Sequence, residues 1–71
     1  MSLKKRFIQE VNELRTIQII SVAVKLPSGA VEVITNTQET ASKAEYYVNA
    51  YDCEFRLKHN SEVQIVGYMI V

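Results

Sequence analysis

Few side chains in this sequence are able to do acid–base or nucleophilic chemistry: one histidine, one cysteine and eight carboxylates. His59 lies in a polar stretch, between Lys58 and Asn60-Ser61. No serine or cysteine stands at a motif spacing from it, so capping the end of a helix fits it better than a catalytic triad does. Cys53 is flanked by Asp52 and Glu54, and acidic neighbours disfavour the thiolate that a nucleophile requires. On a helix those two acids diverge, so no paired-carboxylate site is encoded locally. One cysteine and one histidine cannot complete a four-ligand zinc site. The two isolated glycines, Gly29 and Gly67, build no phosphate loop. The expectation is a non-enzymatic protein without a cofactor. An active site assembled across a subunit interface would leave no spacing signature in one chain, and that alternative stays open.

Residues suited to recognition are better represented. Tyr46, Tyr47 and Tyr51 lie close together, and tyrosine offers wide contact area at low entropic cost. On a helix Tyr47 and Tyr51 flank one stripe while Tyr46 points away, which makes Tyr46 the expected partner contact. Lys4, Lys5 and Arg6 form a basic run, and residues 1–16 carry +2 against −1 for residues 37–60. The chain as a whole has eight basic and eight acidic residues and no net charge. Dedicated nucleic-acid binders usually carry a clear basic excess, so nucleic acid is a secondary expectation.

These residues need elements to hold them. Leu3, Phe7, Val11 and Leu14 recur at helical spacing, with Ile8 widening the stripe, and predict a helix over 3–15 capped by Ser2. Residues 17–26 change to a period of two and are rich in β-branched types. Pro27-Ser28-Gly29 then makes a tight turn, and residues 30–35 return as a second strand. Asn36 and Glu39 read as a capping box for a long helix running to about residue 57. Its stripe would be Ala41, Ala44, Val48, Tyr51 and Phe55, with Lys58 and His59 at its negative end. Residues 63–71 form the last strand, with Val63, Ile65, Gly67, Met69 and Val71 on one face and Gln64, Val66, Tyr68 and Ile70 on the other.

The order α-β-β-α-β predicts a single α+β domain over 1–71, with a three-stranded antiparallel sheet in order 2-1-3 packed against the long helix. At 71 residues and 48% apolar content, the core supplies only about 3–5 kcal/mol. Neither a disulfide nor a metal is at hand, so self-association is the expected staple. Both faces of the final strand are largely apolar, and something must cover the second face, either the first helix or another subunit. That strand would also be an unprotected edge. A homo-oligomer, a dimer first of all, is expected to use Val66, Tyr68 and Ile70, the first helix, or both. No apolar run approaches the roughly 20 residues of a membrane-spanning helix. No apolar segment follows the basic run as in a secretory signal, and a lone thiol fits a reducing compartment. The expected location is the cytoplasm, with no membrane partner.

Two segments, Ala44-Glu45-Tyr46-Tyr47-Val48-Asn49-Ala50-Tyr51-Asp52 and Val63-Gln64-Ile65-Val66-Gly67-Tyr68-Met69-Ile70-Val71, resemble small accessory proteins of tailed phages and prophages of Gram-positive bacteria. The resemblance covers the C-terminal half and brings no active-site residues. It implies a protein that works in the host cytoplasm by binding another protein. The expected function is therefore protein–protein contact that modulates a host component. The alternative is a dimeric nucleic-acid-associated regulator using Lys4, Lys5 and Arg6.

Overall fold

A computed structural model describes residues 2–71. Its elements run α1 (Leu3–Glu13), β1 (Ile20–Lys25), β2 (Val31–Asn36), α2 (Thr40–Ala50), β3 (Arg56–Leu57) and β4 (Asn60–Ile70). The sheet is antiparallel throughout, in the order β2-β1-β4-β3. The α+β class and the central place of the first strand match the expectation. The sheet has four strands rather than three, because residues expected at the end of the long helix form β3 instead.

Helix α1 starts as its sequence predicts, with the Ser2 hydroxyl accepting a hydrogen bond from the Lys5 N–H. It ends at Glu13, and Leu14 turns out toward solvent. Phe7 is fully buried and meets Tyr47, Phe55 and Tyr68 edge-on, with ring centroids 5.2–6.3 Å away. Both helices therefore pack on one face of the sheet, over Ile20, Val22, Val24 and Ile65. The predicted turn forms at Pro27-Ser28-Gly29. Gly29 has φ 91°, a value that residues bearing a Cβ rarely adopt.

The capping box does not form. Asn36 ends β2 and donates to the Ile20 carbonyl and the Tyr47 hydroxyl. Glu39 caps α2 from a left-handed conformation, with no side-chain hydrogen bond. Helix α2 then stops at Ala50, not near residue 57. The cause is local: the Asp52 carboxylate accepts from the N–H groups of Glu54 and Arg56 at 2.9 Å, and such a turn competes with the helical ladder. The chain reverses at once, so that Tyr51 bridges Leu57. Tyr51 and Phe55 reach the core from this turn rather than from a helical stripe. His59 sits in the β3–β4 turn, exposed, and caps no helix.

β4 also begins earlier than expected and is bulged. Ala23 pairs with Gly67 but Val24 pairs with Ile65, which leaves Val66 as the extra residue. A bulge shifts the alternation of every residue beyond it. Tyr68 and Ile70 consequently join Ile65 on the helix-covered face, while Gly67 and Met69 turn to the other. The expected division of this strand into two faces is thus corrected.

Candidate interaction surface

With both helices on one side, the second face of the sheet has no covering element among the described residues. It is built as three cross-strand rows: Thr35–Ser21–Met69, Val33–Ala23–Gly67, and Val31–Lys25–Gln64. The middle row has a low floor, because Ala23 and Gly67 carry almost no side chain. Val33, Thr35 and Met69 stand around that floor, and together they shape a shallow hollow of about 410 Å³. Exposure is high at its walls, 69% at Val33 and 57% at Met69, and at Val31 in the next row, 55%. Ser21 and Thr35 satisfy each other across the strands, their hydroxyl oxygens 3.2 Å apart. The one charge in the rows is Lys25, at the edge of the apolar area.

The sequence reasoning did not single out Val31, Val33 or Met69. Their signal was present in part, since Val31, Val33 and Thr35 alternate on one side of β2. What was missing was the knowledge that both helices choose the opposite side.

The residues expected to bind a partner are scattered. Tyr46 is half exposed, but it does not point away from its neighbours: its ring lies 5.4 Å from Tyr47 and 6.3 Å from Tyr51. All six aromatic residues of the chain form one connected cluster. Lys4 donates its ammonium to the Tyr51 carbonyl, so it ties α1 to the turn after α2. Lys5 and Arg6 are exposed. Of the self-association residues, Val66 is exposed at the bulge, whereas Tyr68 and Ile70 pack against the core beneath the helices.

Local charges follow the same geometry. Among the described residues, the Tyr68 hydroxyl is buried with no hydrogen-bond partner. Burial, helped by the nearby Glu10 carboxylate, pushes its pKa up to about 12. Burial also raises Tyr51, with the phenols of Tyr46 and Tyr47 adding to the effect. The Arg56 N–H, seconded by that of Glu54, holds the Asp52 carboxyl below the usual range. Cys53 and His59 are exposed on separate turns. Among the described residues, no three of His, Cys, Asp and Glu gather where they could hold a metal ion.

A second concavity of about 560 Å³ lies between α1 and α2, floored by Val11, Ile17, Ala44 and Val48 and edged by Arg15 and Glu45. No helix is long and apolar enough to cross a membrane among the described residues. No protein-family model, curated protein or solved structure matches the chain.

Proposed function

We propose that this protein works by protein–protein contact through the bare face of its sheet, as a non-enzymatic accessory factor that modulates a component of a host cell. The observation that carries this reading is the asymmetry of the sheet. One face is sealed by Phe7, Tyr47 and Phe55, while the other leaves Val31, Val33 and Met69 more than half exposed around an Ala23–Gly67 floor. Exposed apolar area of this kind marks interaction surfaces more often than it marks chemistry. The matching partner is an uncharged apolar patch on a folded protein, with an acidic group at its rim to meet Lys25. The tied ammonium of Lys4 weakens the nucleic-acid alternative, because only Lys5 and Arg6 of the basic run stand clear.

Met69→Asp tests the reading, since that side chain leaves the core untouched. In pull-downs from host lysate, the wild-type chain and a Lys5→Ala/Arg6→Ala variant should retain the same stoichiometric partner, and Met69→Asp should lose it. Retention by Met69→Asp, or a partner lost only when the basic residues are removed, would overturn it.

A further inference from the structure

We infer that β2 is a dimerisation strand, pairing antiparallel with β2 of a second copy about a twofold axis through Val33. This inference does not depend on the partner-binding reading above, and it moves self-association from the final strand to the opposite edge of the sheet.

The two edges are built differently. On the β4 side, β3 is only two residues long and lies against the start of β4, and the strand beyond is bent by the Val66 bulge. Short edge strands and bulges are the usual protections against edge-to-edge pairing. β2 has neither. It is six residues long, regular, free of proline and lysine, and exposed along nearly its whole length.

Its free hydrogen-bonding groups can be assigned from the ladder. The Leu26 N–H donates to the Ala30 carbonyl, and bonded and non-bonded pairs alternate along an antiparallel ladder. Ile19 exchanges both of its bonds with Val71, which turns the odd-numbered residues of β1 toward β4 and the even-numbered ones toward β2. The main-chain groups of Glu32, Ile34 and Asn36 therefore face β1. Those of Val31, Val33 and Thr35 face outward, with no strand beyond them among the described residues.

A second copy fits this edge residue by residue. Centred on Val33, the twofold places Val33 opposite Val33 and Val31 opposite Thr35. Every outward N–H and C=O of the strand then meets a partner, about six hydrogen bonds in all. A shift of the centre to Ile34 would push Val31 past the end of the strand and leave part of that set unpaired. The Val33 centre also keeps like charges apart, because Glu32, the strand's one charge, lies opposite Ile34. The exposed valines gain β-branched neighbours on the bare face, and cross-strand pairs of that kind stabilise sheets. The helices stay on their own side, and the two bare faces merge into one continuous surface.

Light scattering and sedimentation across a micromolar concentration series, combined with directed cross-linking, test the pairing. The wild-type chain should be a dimer. Val33→Glu puts two carboxylates opposite each other on the axis and should weaken dimerisation about tenfold or more, while Val33→Thr leaves it unchanged. In a Cys53→Ser background, Val33→Cys should oxidise to a disulfide-linked dimer, since bonded pairs hold their Cα atoms about 5.5 Å apart. Val31→Cys, opposite Thr35, should not. A monomer at every concentration, or a dimer that ignores Val33→Glu, overturns the inference, as does one cross-linked equally through Val31→Cys. If Val33→Glu fails to fold, the two cysteine variants still decide. A dimer that survives Met69→Asp while host-partner capture is lost separates this pairing from the function proposed above.

Discussion

Phe55 occupies, in the turn after α2, the same backbone position that Gly29 occupies in the β1–β2 hairpin. In one turn Leu26 N–H donates to Ala30 and Gly29 N–H to Leu26; in the other, Asp52 N–H donates to Arg56 and Phe55 N–H to Asp52. Both turns need a left-handed residue at the third loop position, with φ 91° at Gly29 and 62° at Phe55. Glycine accepts that geometry freely, whereas a residue with a Cβ is strained by about 1–2 kcal/mol. Phe55 is held there by its ring, which is buried against Phe7 and Tyr51.

This relationship predicts an inverted mutational order. Removing the ring should destabilise by about 3–5 kcal/mol, so both truncations are compared in an osmolyte-stabilised solution. Phe55→Gly should then be less destabilising than Phe55→Ala, by about 1 kcal/mol, in urea unfolding. Elsewhere in a core, glycine is normally the worse of the two.

Glu39 is the other non-glycine residue with positive φ, at 52°, and it caps α2 without a side-chain hydrogen bond. Glu39→Gly should raise stability by about 0.5–1 kcal/mol, read as a higher urea midpoint with unchanged slope. Glu39→Ala keeps the strain and should bring no such gain.

Tyr68 makes stability sensitive to alkaline pH. Its folded pKa of about 12 lies above the unfolded value of 10.0, so the folded state holds this proton more tightly. The contribution is complete below pH 10 and is lost as pH rises through the folded value. Tyr68→Phe should flatten that decline in thermal unfolding. Because the hydroxyl is buried without a partner, the variant should be as stable as the wild type near neutrality, or up to about 1 kcal/mol more stable.

Asp52 works in the opposite direction. Its folded pKa is depressed, chiefly by the Arg56 N–H. Its contribution is present above the unfolded value of 3.8 and disappears as pH falls through the folded one. Asp52→Ala should lower the urea midpoint at neutral pH and reduce the further loss in acid. Asp52→Asn keeps an acceptor oxygen for the turn and should sit between the two.

Near-neighbour chemistry was readable from the chain alone. Ser2 before a helical stripe, the Pro27-Ser28-Gly29 turn and the alternation of β1 all depend on residues a few positions apart, and the α+β class with β1 inside the sheet follows from the order of those elements and the handedness of their crossover. The end of α2 was not readable in that way: the Asx turn at Asp52 is local, but it closes on Phe55 at positive φ, and the packing that holds Phe55 there is with Phe7, far away in sequence. The two faces of β4 were not readable either. The Val66 bulge is set by how β4 registers against β1, and one extra residue there sends Tyr68 and Ile70 inward and Met69 outward. Which face of the sheet stays bare, and so where Val31 and Val33 find themselves, follows from both helices packing around Phe7. That choice joins elements far apart in sequence, so only the tertiary structure could make it.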